Sequence, residues 1–259
     1  MKPTPITLAV LASLCALSVN PTTSCAAELT ASDGAANDWF GHAVCLFGNT
    51  GMVGAYADDD KGASSGSAYV FRGLDTATGS VTQNVKLTAS DGAADALFGL
   101  SVSLFGNTGL VGAYGDDAKG VDSGSAYVFR GLDTATGSVT QNVKLTASDG
   151  AAGDGFGKYV SLSGNTGLVG AYHDDDKGFN SGSAYVFRGL DTSTGSVTQN
   201  VKLTASDGAA NDEFGYCVRR GQSQITDIWH PSSRCFAGTS FDWEGHWSSA
   251  DEGAVGGEL

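Results

Sequence analysis

Apolar and polar positions along this chain come in short runs, and each run is closed by glycine, asparagine or another turn former. Phe40 to Phe47 reads as a first strand. Gly48-Asn49-Thr50-Gly51 reads as a hairpin turn, since Gly and Asn tolerate the positive φ such turns need. Met52 to Tyr56 is a second strand, and the polar loop Ala57 to Ser65 leads to a third, Ser67-Ala68-Tyr69-Val70-Phe71, rich in β-formers. The turn Gly73 to Gly79 and a fourth strand, Val81 to Thr88, complete the unit. No stretch sustains a helical period. Alternation within the strands is imperfect: Tyr69-Val70-Phe71 and Val53-Gly54-Ala55 are apolar or small on both faces, which predicts a sheet covered on both sides.

The same pattern then recurs. Leu-Thr-Ala-Ser-Asp-Gly-Ala-Ala begins at Leu29, Leu87, Leu145 and Leu203, a step of 58 residues each time, and segments 86–143 and 144–201 differ at 11 of 58 positions. Such self-similarity means one supersecondary unit copied several times. The chain divides into repeat 1 (28–85), repeat 2 (86–143), repeat 3 (144–201), a partial repeat 4 (202–218) and a non-repeat tail (219–259) that holds Trp229, Trp243 and Trp247. Four strands per unit is what a propeller blade requires. The expected fold is therefore all-β, an incomplete β-propeller arc of four-stranded antiparallel blades, about three complete and a fourth partial. A parallel β-solenoid is the alternative, with coils usually shorter than this period. The tail reads either as a cap on the last blade or as the product of a shifted reading frame or truncated gene.

At these residues the sequence resembles the FG-GAP repeats that build the β-propeller of integrin α subunits and many bacterial exported proteins. Phe40-Gly41 is followed by Gly54-Ala55-Tyr56, Phe98-Gly99 by Gly112-Ala113-Tyr114, and Phe156-Gly157 by Gly170-Ala171-Tyr172, while Phe214-Gly215 stands without a Gly-Ala partner. The resemblance implies a propeller-type binding or adhesion module, with calcium in the loops of integrin-type blades. That calcium loop lies between Phe-Gly and Gly-Ala, where this chain has Phe47-Gly48-Asn49-Thr50-Gly51 and no carboxylate, so the site does not carry over.

Acidic residues instead follow Gly-Ala-Tyr, as Asp58-Asp59-Asp60, as Asp116 and Asp117 with Asp122, and as Asp174-Asp175-Asp176. Calcium takes six to eight oxygens, which carboxylates on a glycine-flexed loop help to supply. Asp58, Asp60, Asp116, Asp117, Asp122, Asp174 and Asp176 are the candidate ligands. Neighbouring side chains in an extended segment point to opposite sides, so Asp58 and Asp60 are the pair able to converge, and Ala118 replaces the equivalent residue in repeat 2. The competing reading is a solvated acidic loop that keeps the sheet soluble. A second acidic loop, Asp33 with Asn37 and Asp38, recurs at Asp91 with Asp95, Asp149 with Asp154, and Asp207 with Asn211 and Asp212, where Asx-turn chemistry serves as well as metal.

Charge and composition narrow the function. A net charge of −14 repels nucleic-acid phosphates and anionic lipid and attracts cations. Lys2 precedes an apolar run from Ile6 to Val19 that suits a secretory signal and is short for a bilayer span, with Ser24, Cys25, Ala26 and Ala27 after it. Residues 1–27 read as a cleaved signal peptide, with lipid attachment at Cys25 as the alternative. No later segment reads as transmembrane, which places the protein as secreted or on the cell surface. Cys45, Cys217 and Cys235 then remain, an odd number that excludes a complete disulfide framework within one chain.

An enzyme is not expected, because each Asp pair has copies in other repeats whereas catalysis needs one asymmetric set. His42 and His173 are isolated in separate repeats, and Cys217, His230, Cys235 and His246 lack the close-paired spacing of a zinc motif. The leading expectation is an exported non-enzymatic binding or adhesion-type module whose blade-connecting loops present the contact residues, with calcium as a candidate stiffener of those loops. Its partner is an extracellular protein or glycan, or further copies of itself completing a ring. The alternatives are a cell-surface spacer or a fragment of a longer propeller with no specific ligand, followed by a hydrolase-associated propeller.

Overall fold

The computed structural model describes residues 27–218 in full, and the backbone of 219–220, 225–228, 239–241 and 247–249. The signal-peptide reading and most of the tail, with His230, Cys235 and His246, lie outside the described residues; Ala27, placed at the end of that peptide, opens the first strand.

The repeats fold into strands throughout, with no helix among the described residues. The strands are β1 (Ala27–Thr30), β2 (Val44–Phe47), β3 (Thr50–Ala55), β4 (Ser67–Phe71), β5 (Gly79–Thr82), β6 (Val85–Thr88), β7 (Ser101–Phe105), β8 (Thr108–Ala113), β9 (Ser125–Phe129), β10 (Gly137–Thr140), β11 (Val143–Thr146), β12 (Val160–Ser163), β13 (Thr166–Ala171), β14 (Ser183–Phe187), β15 (Gly195–Thr198) and β16 (Val201–Leu203). Three blades follow in order: β2-β3-β4-β6-β10, β7-β8-β9-β11-β15 and β12-β13-β14-β16. Four strands of each blade pair antiparallel, and the described blades form an arc that does not close. Beyond them, β17 (Val218–Arg220) pairs with β18 (Ile225–Ile228), and β19 (Thr239–Phe241) with β20 (Trp247–Ser249).

Three boundaries differ from those the sequence suggests, the second strand running Thr50–Ala55 rather than Met52 to Tyr56 because Thr50 and Gly51 already pair with Phe47 and Leu46. The first strand begins at Val44 rather than Phe40, because Phe40-Gly41 lies in a turn in which the Gly41 N–H bonds the Gly54 carbonyl at 3.0 Å. The expected fourth strand, 81–88, is two strands in different sheets. Asn84 breaks it: its N–H bonds the Val70 carbonyl at 2.8 Å and its Oδ1 accepts the Arg72 N–H at 2.6 Å. Thus β6 closes the blade of the preceding repeat, while β5 runs parallel to β1, as β10 does to β6 and β15 to β11. Each junction is pinned by a glutamine: Gln83 accepts from the Ser32 N–H at 2.9 Å and donates to the Ser32 hydroxyl at 2.7 Å. Every blade therefore contains chain from more than one repeat.

The hairpin between β2 and β3 pairs Phe47 with Thr50, leaving Gly48-Asn49 as a two-residue turn with Gly48 at φ 57°. Glycine at the first central position is what a tight hairpin of this hand demands. Strands β3, β4, β8, β9, β13 and β14 are buried on both faces. One face of the first blade, with Met52, Val70 and Leu87, packs on Val111, Tyr127 and Phe129 of the second. Leu110, Val128 and Leu145 on the far side pack on Val169, Tyr185 and Phe187 of the third. The phenylalanine of each Phe-Gly pair enters this layer edge-on: Phe98 lies 5.5 Å from the Tyr127 ring and 5.8 Å from that of Phe129, centroid to centroid. Such pairs add about 1 kcal/mol beyond their buried area.

Backbone meets backbone where blades join. A Cβ on Gly54 would lie 1.9 Å from the Gly99 carbonyl oxygen, one on Gly112 1.8 Å from that of Gly157, and one on Gly170 2.1 Å from that of Gly215. The Gly-Ala element of one repeat thus sits directly on the Phe-Gly element of the next. At the opposite end Arg72 reaches the Leu132 carbonyl at 2.8 Å, and Arg130 that of Leu190 at 3.0 Å.

Gly112→Ala is expected to cost at least about 3 kcal/mol, the upper range for overpacking. Gly131→Asn, at φ 70° with open space within 4 Å of where a Cβ would stand, is expected to cost only about 1 kcal/mol, the strain of the left-handed region without a clash. Urea melts of the two variants check this; equal midpoints would refute the interblade constraint.

Candidate functional site

The acidic loop after Gly-Ala-Tyr begins where β3 ends, and its first aspartate turns inward. Asp58 is 3% exposed. Its Oδ1 accepts the Asp60 N–H at 3.1 Å, which shapes the loop, and the Ser67 hydroxyl at 3.1 Å. Its Oδ2 accepts the Tyr69 hydroxyl at 2.9 Å. Asp60 follows on the same side, whereas Asp59 turns away and caps the Ser64 N–H at 2.8 Å.

What fills the space between the carboxylates is a lysine. Lys86, in the middle of β6, sets its ammonium 3.2 Å from Asp58, 2.5 Å from Asp60 and 2.6 Å from Asp33 of the other acidic loop. The Tyr69 hydroxyl bridges Asp33 and Asp58, and the ammonium lies 5.3 Å from the centre of the Tyr69 ring. Repeat 3 repeats the set: Lys202 bonds Asp149 at 2.7 Å, Asp174 at 2.9 Å and Asp176 at 2.5 Å. In repeat 2, Ala118 removes one carboxylate and Lys144 holds Asp91 at 2.6 Å and Asp116 at 2.9 Å.

The charge balance follows from this geometry. Burial acts most strongly on Lys86 and lowers its pKa, yet hydrogen bonds to Asp33 and Asp60 and the field of Asp58 reverse it and leave the lysine above its ordinary value; the same holds for Lys202. Burial raises Asp33, but the bond from Lys86 and its charge outweigh that, and Asp33 ends below the usual carboxylate range, as do Asp91 and Asp149 with their lysines. The tyrosines are pushed far up, by burial first and the two carboxylates next, so Tyr69, Tyr127 and Tyr185 act as hydroxyl donors.

Among the candidate ligands, Asp58 and Asp60, and Asp174 and Asp176, come together with a further carboxylate, Asp33 or Asp149. In each trio one oxygen per residue lies within 4.8 Å of the others, close enough to hold a metal ion. Asp116 faces Lys144. Asp117 and Asp122 do not join it: Asp117 accepts the Asp122 N–H at 2.9 Å within the exposed loop. Nor is the loop simply solvated. The Asp95, Leu97 and Phe98 N–H groups bond the carbonyls of Ala63, Ser64 and Ser65 at 2.7, 3.0 and 3.1 Å, so it straps one repeat to the next.

Sequence reasoning missed the lysines and tyrosines that complete these clusters. The signal was present: a lysine flanked by Val85 and Leu87, both fully buried, requires a buried counter-charge.

In the second acidic loop Asp38 and Asp154 accept the Ala35 and Ala151 N–H groups at 2.6 and 2.7 Å, while Asp33, Asp91 and Asp149 serve the lysines. Asp154 is buried, and desolvation, with Asp174 nearby, pushes its pKa up to about 6.

A different set of positions breaks the repeat. Of the 11 differences between repeats 2 and 3, five fall in 95–101 and their counterparts 153–159, and four more in 115–122 and 173–180. Those two stretches are strapped together by the loop hydrogen bonds, for example Gly153 N–H to the Val121 carbonyl at 2.8 Å. Divergence is thus gathered at one end of the blades. The lysines, their tyrosines and the blade-joining glycines are the same in all three blades.

Comparison with known proteins agrees with the motif. Residues 24–71, 81–129, 139–187 and 197–220 match the FG-GAP repeat, and the chain belongs to the FG-GAP repeat family. Two solved structures share a general likeness, the computationally designed Ika4 protein and the computationally designed Ika8 protein. The first is 12% identical with a TM-score of 0.42, over 85% of this chain and 94% of its own. The second is 16% identical with a TM-score of 0.39, over 80% of this chain and 50% of its own. No curated protein matches the chain. No helix among the described residues is long and apolar enough to cross a membrane.

Lys86→Met is expected to destabilise the protein by about 3 kcal/mol, because it strands Asp58 without its counter-charge. That deficit should shrink as pH falls and the carboxylates protonate; urea melts at pH 7 and pH 3.5 test it, and a deficit that does not change with pH would refute the electrostatic account. Asp154→Asn should act in the opposite sense. A carboxyl whose folded pKa is raised favours the fold when protonated, and that favour is lost as pH rises from its unfolded value near 3.8 through about 6. The variant should therefore melt higher than wild type at pH 7 and lose its advantage near pH 4.

Proposed function

We propose that the protein is an exported, non-enzymatic binding or adhesion-type module in which identical blade contacts carry a changeable end. The observation that carries this reading is the distribution of differences: the Phe-Gly to Gly-Ala joints and the glutamine clasps recur in each repeat, while nine of the 11 differences between repeats 2 and 3 collect on two adjoining stretches. Rigid scaffolds that vary only in loops are how folds commonly acquire binding. The partner we infer is an extracellular protein or glycan. A pure spacer with no ligand gives no reason for variation to gather at one end. The acidic clusters also support a non-catalytic reading, because each carboxylate set recurs and already holds a lysine.

A second reading concerns calcium, and one observation favours it: the convergence of Asp33, Asp58 and Asp60, and of Asp149, Asp174 and Asp176. The ammonium groups at 2.5 to 3.2 Å occupy the middle of both sets, so calcium would have to displace a lysine. The cation that stiffens these loops is then a side chain.

Calorimetric titration of the intact chain with calcium, and thermal melts with and without chelator, separate the two. No heat and no melting shift are expected for wild type, and a calcium-dependent rise of several degrees that is lost in Asp60→Ala and Asp176→Ala would establish the calcium reading. The binding reading is checked by screening the intact protein against matrix proteins and glycans; silence across such a panel would leave the spacer.

A further inference from the structure

The changeable end holds a pocket that the acidic clusters do not use. It is a half-open cleft of about 300 Å³ lined by His42, Tyr56, Leu97, Leu100, Tyr114, Lys158 and Tyr159, drawn from all three repeats. Three of these, His42, Leu100 and Lys158, occupy the same place in successive repeats, 58 residues apart, so nearly identical cassettes place three different chemistries around one opening.

Aromatic rings dominate the walls. His42 stands edge-on to Tyr56 at 4.7 Å, and Trp39 stacks on the same ring at 6.0 Å and an interplanar angle of 23°. Trp39 is 60% exposed, so the aromatic surface continues out of the pocket into solvent. Lys158 lies 4.1 Å from the Tyr172 ring centre, 5.4 Å from that of Tyr216 and 5.5 Å from that of Tyr114. Its position over three rings fixes it by cation–π attraction. Unlike Lys86, Lys144 and Lys202, it forms no ion pair with any described residue, so its ammonium N–H groups remain as donors.

We infer that this pocket binds a neutral sugar ring of an extracellular glycan, an inference that rests on the binding-module reading and names its site. Tyrosine faces suit the C–H face of a pyranose, while the Lys158 ammonium, the His42 imidazole and the Tyr56 and Tyr114 hydroxyls meet its hydroxyl groups, the Tyr159 hydroxyl being bonded to Tyr216. The volume, at the small end for ligand pockets, fits a small ring rather than a protein segment. The exposed Trp39–Tyr56 stack offers a place for the next ring of a chain. Neutrality follows from the protein's net charge of −14, which opposes a polyanionic partner despite the single lysine.

The test is calorimetric titration of the intact chain with neutral oligosaccharides (galacto-, xylo-, cello- and N-acetylglucosamine oligomers of four units), with tetragalacturonate as the charged comparison. At least one neutral oligomer is expected to bind. Tyr114→Ala and Lys158→Met should each weaken it tenfold or more, Lys158→Arg should retain most of it, and Asn107→Ala in the distant β7–β8 turn should leave it unchanged. Thermal melts within a few degrees of wild type confirm that the variants fold. Tetragalacturonate should bind more weakly at 50 mM salt, with the gap narrowing at 300 mM. Absence of binding by every neutral oligomer, binding indifferent to Tyr114→Ala and Lys158→Met, or tighter binding of tetragalacturonate would overturn the inference. Binding of a matrix protein or another glycan that ignores these substitutions would overturn the pocket alone and keep the module; silence of the entire panel would overturn both.

Discussion

Everything in this fold depends on how closely two backbones approach where one blade meets the next. The carbonyl oxygens of Gly99, Gly157 and Gly215 occupy the space where side chains of residues 54, 112 and 170 would begin. Once the strands are that close, the faces of adjacent sheets come into register and their apolar side chains interlock: Met52 and Leu87 against Tyr127 and Phe129, Leu110 and Leu145 against Tyr185 and Phe187. The Phe-Gly and Gly-Ala elements are thus two halves of one joint. The phenylalanine fills the layer, and the two glycines let the layers close.

A joint made this tight leaves polar groups stranded unless they are satisfied locally. The lysine clusters do that. Asp58, Asp116 and Asp174 sit at the end of a buried strand, and water cannot reach them freely. Each is met by a serine hydroxyl, a tyrosine hydroxyl and an ammonium from the strand that closes the same blade. The lysine belongs to the next repeat, so the same bonds that neutralise the carboxylate also join successive cassettes. Lys86 and Asp58 are both shielded from solvent, which is where ion pairing has its largest consequences in either direction.

The separation of roles within the cassette follows from this. The glycines of the joint, the buried aspartate, tyrosine and lysine of each cluster and the Gln83–Ser32 type of clasp recur unchanged, each tied to backbone or to a buried charge, while the cluster's exposed carboxylate is replaced by Ala118 in repeat 2. Most positions that differ between repeats 2 and 3 lie within 95–101 and 115–122 and their counterparts, in loops at one end of the blades, around Phe98, Gly99 and Asp116, which the joint and the lysine cluster keep the same. Lys158 illustrates the outcome: it stands where repeat 1 has His42 and repeat 2 has Leu100, and it is held by tyrosine rings.

The sequence alone settled the cassette, its period, the third strand Ser67–Phe71, the double burial of the central strands and the kinship with FG-GAP repeats. These are legible because turn residues, β-formers and a fixed spacing are local properties. What only the tertiary structure decided was which segments share a sheet and which charges meet. Val81 to Thr88 reads as one strand because nothing in its composition shows that Asn84 will divert its backbone bonds to Val70 and Arg72 and send the two halves to different sheets. Asp33, Asp58 and Lys86 are far apart in sequence, and their meeting depends on β6 closing the blade of the repeat before it. Spacing along a chain determines local conformation; it cannot specify which distant partner will neutralise a buried charge, because that is set by strand exchange between neighbours in space.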